Sequence, residues 1–363
     1  MRKLICIILL TVSLTPAYGQ QPVITENVFL ISLDGLRWQE LYTGADPLLI
    51  AHEDYVNDAE RLEATFWDDD AAVRREKLMP FFWNVIARQG QLYGNRAYGN
   101  NVDVTNGLNF SYPGYSELLT GFVDEGITSN QKRWNPNKTV LEFVNDQPGF
   151  EGHVAAFGSW DVFPYIVNSE RSGIPVNAGF EGVTGENLTE RERFLNELLG
   201  QIPSPWGSVR LDAFTHHYAL EHFKKYAPRL IYIAYGETDD FAHNGNYQAY
   251  LYSARQTDSF IEDLWNTVQS TPGYRNKTTF IITTDHGRGT VPVDQWRGHG
   301  SNVEGSEEMW IAVIGPDTPA RGVVREPMQL YQNQIARTLA HLLGLDYRND
   351  RQVGGVIPSM FSD

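Results

Sequence analysis

The sequence predicts an α/β fold: a three-layer αβα sandwich around a central, mostly parallel sheet. Short apolar runs suited to buried strands occur at 28–33 (VFLISL), 230–235 (LIYIAY) and 280–284 (FIITT). Such unbroken runs are typical of parallel strands that are buried on both faces. Helical patterns alternate with them, and the clearest is Tyr247–Ser270, where apolar residues recur with a 3.6-residue period. Alternation of strands with amphipathic helices favours a sheet that is covered on both sides.

Glycine and proline set the bounds of other predicted elements. A helix is expected at Pro80–Gly90, ending at its glycine as many helices do. A short helix at Pro113–Thr120 opens with proline, a common first-turn residue. The remaining predicted elements are strands His153–Phe157 and Met309–Ile314, and helices near Glu190–Leu199, at Leu211–Tyr226 and at Gln329–Leu343.

Two segments interrupt this alternation. Residues 44–76 are polar and acidic, and we expect them to form a surface excursion near the mouth of a site. Residues 161–206 are rich in Gly, Pro, Asn and Glu, a composition typical of loops. The chain of 363 residues, 42% of them hydrophobic, can form one large core. We therefore predict a single domain over residues 20–363, with insertions near 44–76 and 161–206.

The first 19 residues have the pattern of a secretory signal peptide. Basic Arg2 and Lys3 precede an apolar run at Leu4–Leu14 and a small-x-small site at 17–19 (AYG). A membrane anchor is the alternative, but the run is shorter than the roughly 20 residues that a spanning helix needs. No later stretch is predicted to span a membrane. We therefore expect a cleaved signal and a periplasmic or secreted protein of bacterial origin.

Composition argues against disulfides and cysteine metal ligands, and against binding to a nucleic-acid polymer. The only cysteine, Cys6, lies in the predicted signal segment, so the mature chain would have no disulfide and no cysteine metal ligand. The formal net charge is −16, whereas binding to a nucleic-acid polymer depends on neutralising phosphates with Lys and Arg. A small phosphorylated substrate is compatible with this charge, because bound metal cations can reverse the local field.

Acidic and histidine residues follow the three predicted strands. The carboxyl ends of parallel strands meet at one edge of an α/β sheet, where such folds place their sites. Any one of these residues alone is more typical of a helix cap or a surface histidine. Together they predict a two-metal hydrolase, and their carboxylates and imidazoles suit Zn²⁺, with Mn²⁺ and Fe left open. The residues are Asp34, Asp239, His243, Asp285, His286 and, further along the chain, His299.

The spacing of Asp239 and His243 is also informative. They are four residues apart, so a helical turn after the second strand would place both side chains on one face.

The segment NFSYPGYSELLTG (109–121) offers a nucleophile. Ser111 lies two residues before Pro113, at the start of the predicted short helix. A hydroxyl beside the free N–H groups of a helix N-terminus is well placed to carry a phosphoryl group in transit. On this pattern alone, an ordinary N-cap role for Ser111 is the stronger interpretation.

The order of these motifs resembles the alkaline phosphatase superfamily, and most of all its nucleotide pyrophosphatase/phosphodiesterase and phosphate-irrepressible alkaline phosphatase branches. The matching pieces run in family order from Val28 to about Gly300: LISLDG, MPFFWNVIARQG, FSYPGYSELLTG, GITSN, GETDDFAH, TTDHG and GHG. The resemblance implies two divalent metal ions, expected to be Zn²⁺. It assigns Asp34, Ser111, Asp285 and His286 to one ion, and Asp239, His243 and His299 to the other.

The same resemblance implies two catalytic residues, Ser111 and Asn130. Ser111 would attack phosphorus and form a phosphoserine that water then hydrolyses. These branches usually carry Thr at this position, and Ser is chemically equivalent for the attack. Asn130, in GITSN, matches an Asn that contacts a phosphoryl oxygen in the family, although the intervening loop is shorter here.

A phosphodiester substrate is slightly favoured over a monoester. The monoesterase branch carries a Lys-x-Arg pair that binds the extra phosphate charge, and SWDVF (159–163) stands in the equivalent stretch. Other cations could substitute, although each is more typically a solvated surface charge. They are Arg37, Lys132, Arg133, Arg288 and Arg297.

Three other functions stay open. A phosphotransferase would share the first step and pass the group to a glycan or lipid instead of water. A sulfatase would need Arg where Tyr115 stands in the C/S-x-P-x-R motif, which argues against it. A noncatalytic binding protein would be expected to have lost one of the metal ligands or Ser111.

Overall fold

The computed structural model describes residues 23–361, so the predicted signal segment, residues 1–19, lies outside the described residues. The strands are β1 Asn27–Leu33, β2 Gln91–Tyr93, β3 Asn100–Asp103, β4 Val154–Gly158, β5 Val176–Ala178, β6 Leu230–Tyr235, β7 Thr278–Thr283, β8 Ile311–Ile314, β9 Gly322–Val323 and β10 Met328–Tyr331. The α-helices are α1 Trp38–Thr43, α2 Ala59–Phe66, α3 Ala71–Leu78, α4 Ala87–Gln89, α5 Ser111–Thr120, α6 Val140–Asn145, α7 Phe163–Val167, α8 Ser169–Ser172, α9 Glu190–Gln201, α10 Asp212–Tyr226, α11 Glu237–His243, α12 Tyr247–Ser270 and α13 Gln334–Leu342. Within residues 23–361, no helix is both long enough and apolar enough to cross a membrane.

The central sheet is mostly parallel, which confirms the predicted fold class. Its strand order is β5-β4-β6-β1-β7-β8-β2-β9, and β8 runs antiparallel to both β7 and β2. β1 lies between β6 and β7 and is parallel to both. These three strands are buried along their whole length. Burial on both faces explains the apolar runs in their sequences.

Alternate residues of β1 enter two separate hydrophobic cores. Phe29, Ile31 and Leu33 pack on one face of the sheet with residues of α1, α2, α3, α10 and α12. Val28 and Leu30 pack on the other face with residues of α5, α6, α7 and α13. This is the period of two expected of a strand, and it produces the predicted layers of helix, sheet and helix.

The acidic segment 44–76 contains α2 and most of α3, and it is anchored in the core. Its apolar residues Leu62 and Phe66, both in α2, are buried. Asp58 and Asp70 are the N-caps of α2 and α3, and their side chains accept hydrogen bonds from backbone N–H groups of the first turn. Part of the acidity therefore serves helix capping. The prediction that this segment forms a surface excursion is therefore wrong for its buried residues, such as Leu62 and Phe66.

Three predicted elements differ from the structure. The segment 161–206 contributes β5, which pairs with β4 at the edge of the sheet. The closing helix begins at Gln334 rather than Gln329, because β10 precedes it and pairs with β3. The helix at Pro80–Gly90 contains a π-helical turn at Phe82–Ile86. The two strands depend on pairing with distant parts of the chain, which local periodicity does not encode.

Asp258 of α12 holds the N-terminus of the helix that contains this π-helical turn. Its two carboxylate oxygens accept hydrogen bonds from the backbone N–H groups of Phe81 at 2.8 Å and Phe82 at 3.0 Å. First-turn N–H groups have no acceptor within their own helix. Burial raises the pKa of Asp258 to about 7. A buried carboxylate thus joins two elements that are far apart in sequence.

We expect Asp258→Ala to destabilise the protein by about 2–6 kcal/mol, because each of two buried donors loses its acceptor at about 1–3 kcal/mol. The loss should be larger at about pH 5 than at about pH 8. A carboxyl whose folded-state pKa is raised from 3.8 to about 7 contributes stability that is present at low pH and lost as the pH rises through 7. Denaturant unfolding at both pH values measures the effect. Glu262→Ala, an exposed acid one turn further along α12, is the control, and equal losses for both variants would contradict the prediction.

Candidate metal centre and active site

The carboxyl ends of β1, β6 and β7 bring the predicted acids and histidines to one edge of the sheet. Asp34 directly follows β1, α11 begins just after β6, and Asp285 lies just after β7. The parallel register ends the three strands at about the same level. In each of two groups the candidate ligand atoms lie within 4.8 Å of one another: Asp34, Asp285 and His286 form the first group, and Asp239, His243 and His299 form the second.

In the first group, each of the two aspartates is hydrogen bonded through one oxygen only. Tyr115 donates its hydroxyl hydrogen to Asp34 Oδ2 at 2.8 Å, and the Gly35 N–H donates to Asp285 Oδ1 at 3.2 Å. The other oxygens, Asp34 Oδ1 and Asp285 Oδ2, are buried and have no hydrogen-bond partner among the described residues. They lie 3.3 Å and 3.4 Å from His286 Nε2. Three ligand atoms therefore converge on one point.

Backbone carbonyls fix the rings of two histidines. His286 donates from Nδ1 to the Gly287 carbonyl oxygen at 2.9 Å, and His299 donates from Nδ1 to the Asn109 carbonyl oxygen at 3.1 Å. In each ring Nε2 is then the unprotonated nitrogen, which carries the lone pair. Burial lowers the pKa of His286 to about 4 and that of His299 well below its usual range. Both rings are therefore neutral near pH 7, the state that binds a metal.

The second group is built on α11 and is more open to solvent. His243 Nε2 lies 3.2 Å from Asp239 Oδ2, four residues earlier on the same helix. His299 Nε2 lies 2.9 Å from His243 Nε2 and 3.5 Å from Asp239 Oδ1. The side chain of His243 is 45% exposed, whereas the first group is wholly buried. The rings of His286 and His299 stack with 4.0 Å between their centroids, so the two groups adjoin.

Divalent metal ions fit these side chains. A buried carboxylate oxygen without a partner is costly, and a cation beside Asp34 Oδ1 and Asp285 Oδ2 would satisfy both atoms. Burial raises the pKa of both carboxyl groups well above the usual range, and neighbouring carboxylates add to the effect. Burial alone would also raise the pKa of Asp239, but the Arg288 guanidinium and two histidines hold it well below the usual range. Carboxylate oxygens and neutral imidazole nitrogens are donors that Zn²⁺ and related ions accept.

Ser111 lies beside the first group. It is the first residue of α5, and Phe110 occupies the N-cap position, so the interpretation of Ser111 as an ordinary N-cap is wrong. Its buried hydroxyl is 3.5 Å from His286 Nε2. Gly114 allows the helix to approach, because a Cβ atom there would lie 2.6 Å from the carbonyl oxygen of Asp285. The first turn of α5 therefore packs directly against the segment that follows β7.

Asn130 is held against the same helix start. Its side-chain oxygen accepts a hydrogen bond from the backbone N–H of Tyr112 at 3.0 Å. The Tyr112 hydroxyl in turn donates to the Arg133 carbonyl oxygen. The segment that carries Asn130 is thus joined to α5 at two points, next to Ser111.

Tyr115, Asn109 and Arg288 have contacts in the site that the sequence did not indicate. Tyr115 lies one turn after Ser111 on α5, and this four-residue spacing was the available signal for it. Asn109 binds His299 through its carbonyl and has a φ of 53°, a conformation that Asn adopts more readily than most residues. Arg288 contacts Asp239, and no local pattern connects these two distant residues.

Three of the five cations proposed to replace a Lys-x-Arg pair are engaged elsewhere. Arg37 and Arg288 are both 1% exposed and bind the carboxylates of Glu40 and Asp239. Lys132 forms an ion pair of 2.6 Å with a neighbouring aspartate. The interpretation of Arg37 and Arg288 as solvated surface charges is therefore wrong, and their guanidinium groups are already occupied by acids.

The sheet, the two groups of acids and histidines at its edge and the serine at a helix start define a member of the alkaline phosphatase superfamily, as predicted. The chain belongs to the type I phosphodiesterase / nucleotide pyrophosphatase family, whose model matches residues 50–311. It is thus a member of a superfamily of phosphoester hydrolases and transferases.

Solved structures with this fold include alkaline phosphatase PafA, with 11% identity, a TM-score of 0.62, and coverage of 95% of this chain and 100% of that chain. Another is BT1596, a 2-O GAG sulfatase, with 11% identity, a TM-score of 0.55, and coverage of 93% and 74%. At these identities the likeness shows the fold alone. GPI ethanolamine phosphate transferase 1 of Homo sapiens is 22% identical over 259 residues, which are 68% of this chain and 24% of that protein. The chain therefore spans about a quarter of the length of the curated relative it matches.

Proposed function

We propose that the chain is a divalent-metal-dependent phosphoester hydrolase with Ser111 as its nucleophile. The observation that carries the proposal is the position of the Ser111 hydroxyl, 3.5 Å from Nε2 of His286, a member of the first group of ligand atoms. This hydroxyl does not cap α5, and the N-terminus of a helix favours a bound phosphoryl group.

Two metal ions, which we propose to be Zn²⁺, would be held by side chains of both groups. When bound, such ions supply positive charge that lowers the pKa of a ligand hydroxyl and offsets charge on the attacking and leaving oxygens. Mixed nitrogen and carboxylate donors favour Zn²⁺ over Mg²⁺ or Ca²⁺, which prefer oxygen donors. The proposed ligands are Asp34, Ser111, Asp285 and His286 for one ion, and Asp239, His243 and His299 for the other.

Ser111 would take part in both bond changes at phosphorus. In the first step its oxygen bonds to phosphorus as the bond to the leaving alcohol breaks, and the proton of the Ser111 hydroxyl ends on the released alkoxide. In the second step a water oxygen bonds to phosphorus, and the Ser111 oxygen leaves and regains a proton. The oxygen of Asn130 is occupied by the Tyr112 N–H, so its amide N–H groups would donate to a phosphoryl oxygen.

A phosphodiester is the proposed substrate class. A phosphate monoester carries more negative charge than a diester near neutral pH, and binding it needs a matching cation. The buried arginines beside the site, Arg37 and Arg288, are already bound to carboxylates. The stretch at 159–163 has no Lys-x-Arg pair. Both observations support the diester.

A phosphotransferase is the second candidate. The observation that favours it is the similarity to a human protein named as an ethanolamine phosphate transferase. The first step would be the same, and a hydroxyl of a glycan or lipid would take the place of water in the second. Export to the periplasm or the exterior, proposed from residues 1–19, would give the site access to such acceptors.

A sulfatase and a noncatalytic role are less well supported. The sulfatase motif needs Arg where Tyr115 stands, and Tyr115 is fully buried with its hydroxyl bound to Asp34. A chain that only bound ligands would not be expected to keep both ligand groups together with a buried serine hydroxyl beside them.

The ratio of kcat/KM for bis(p-nitrophenyl) phosphate and p-nitrophenyl phosphate, measured on zinc-loaded protein, tests the proposal. We expect the diester to be favoured at least about tenfold, which corresponds to about 1.4 kcal/mol of transition-state stabilisation. A preference for the monoester would contradict the proposed substrate class. If the protein hydrolyses neither ester, the proposed hydrolase activity is contradicted. Product analysis with an added alcohol separates the two candidates, because a transferase forms the new ester in preference to the hydrolysis product.

A further inference from the structure

Arg288 is a fully buried arginine whose guanidinium uses each of its three nitrogens. Nε donates to the carbonyl oxygen of Trp296 at 2.8 Å. Nη2 donates to the carbonyl oxygen of Arg297, and Nη1 donates to Asp239 Oδ1. Because the guanidinium is planar and rigid, three partners in different directions fix its position.

The two carbonyls that Arg288 binds belong to the segment that leads to His299. Arg297 lies two residues before His299, and the backbone N–H of Gly289 donates to the Gly298 carbonyl oxygen at 3.1 Å. The other two members of the second ligand group come from α11. Arg288 therefore connects the two chain segments that supply this group.

The contact also distinguishes the two carboxylate oxygens of Asp239. Oδ1 is bound by Arg288, whereas Oδ2 lies 3.2 Å from His243 Nε2. The backbone at Gly35 leaves space for the ion pair, because a Cβ atom there would lie 2.8 Å from Arg288 Nη1 and 3.0 Å from Asp239 Oδ1. Gly35 also has a φ of 58°, a conformation that glycine adopts without strain.

We propose that Arg288 is a positioning residue for the second metal ion, an inference that rests on the proposed two-ion function. It holds Asp239 so that Oδ2 is directed towards His243, and it holds the segment that carries His299. Removing a group that orients metal ligands typically lowers metal affinity about 10- to 100-fold. The loss is expected at the second group only, because the three hydrogen bonds of Arg288 involve no residue of the first group.

A purely electrostatic role would act in the opposite direction. A guanidinium near a divalent cation repels it, so removing the guanidinium would tighten metal binding. Loss of Arg288 would, however, leave the carbonyl oxygens of Trp296 and Arg297 without this donor and free the Asp239 carboxylate to rotate. The sign of the change in affinity therefore separates positioning from repulsion.

Zinc binding to metal-free Arg288→Gln tests the inference without using activity. Calorimetry gives the affinities, elemental analysis gives the number of ions, and Co²⁺ absorption reports the coordination of the second ion. Wild-type protein should bind two ions, whereas Arg288→Gln should bind one of them normally and the other about 10- to 100-fold more weakly. Arg288→Lys keeps the buried charge but lacks the planar fork, so it should show the same weakening. Guanidinium ion added to Arg288→Ala should restore binding of the second ion.

Arg210→Gln is the matched control. Arg210 is also fully buried, and it is hydrogen bonded to Thr215 and Asn177 rather than to a candidate ligand. Its removal should lower the free energy of unfolding and leave both zinc affinities unchanged. Unchanged or tighter zinc binding in folded Arg288 variants, or equal weakening of both ions, would overturn the inference. Wild-type protein that binds fewer than two ions would overturn the proposed function as well, so the two failures are distinguishable.

Discussion

Replacing Ser111 with alanine is expected to lower kcat on the order of 10³-fold or more and to leave the metal content unchanged. The Ser111 oxygen is the atom proposed to bond to phosphorus, and removing a nucleophile that acts together with neighbouring groups costs several orders of magnitude in rate. The metals should persist because three side-chain ligands remain in each group. Steady-state kinetics with bis(p-nitrophenyl) phosphate and elemental analysis of the same samples measure the two quantities.

Two further variants separate the chemistry of Ser111 from its packing. Ser116→Ala removes another buried hydroxyl from α5, one that contacts Asn135 at 3.2 Å, and it should affect stability more than kcat. Ser111→Thr keeps a hydroxyl at the same position and should retain activity. Full activity of Ser111→Ala would show that Ser111 is not the nucleophile. In that case, mass spectrometry of rapidly quenched wild-type protein should find no phosphoserine.

The candidate ligands could be found from the sequence because their placement follows from a local rule. Each acid stands just after an apolar strand, and parallel strands end at one edge of the sheet. The pair Asp239 and His243 needed only a helical turn, which α11 supplies. The proposed role of Ser111 could not be derived from its neighbours alone, because capping and catalysis both place a serine at the start of a helix.

The contacts that orient these ligands could not be predicted in the same way. Tyr115 binds Asp34 and Arg288 binds Asp239, and in both cases the partners are far apart in the chain. The strands β5 and β10 were missed for the same reason, since each is stabilised by pairing with a distant segment. Residue patterns encode which face is apolar, whereas the partner of a polar atom depends on the packed fold.

Replacing His299 with alanine is expected to remove one of two metal ions at low free zinc. Activity should fall in proportion to the fraction of protein that has lost this ion. The Nδ1 of His299 donates to the Asn109 carbonyl oxygen, so Nε2 is the unprotonated nitrogen, and it lies 2.9 Å from His243 Nε2. Losing a ligand should weaken binding by more than the roughly 100-fold that follows from losing a group that orients one. Elemental analysis after dialysis against buffered zinc gives the number of ions that remain.

The response to added zinc distinguishes this loss from the loss of the nucleophile. His299→Ala keeps Asp239 and His243, so a high zinc concentration should refill the second group by mass action and recover part of the activity. Ser111→Ala should recover none, because its metals were never lost. His341→Ala, a change on α13 away from both groups, should keep two ions and full activity. Two ions bound to His299→Ala at low free zinc would show that His299 is not a ligand and that the second group has been assigned wrongly.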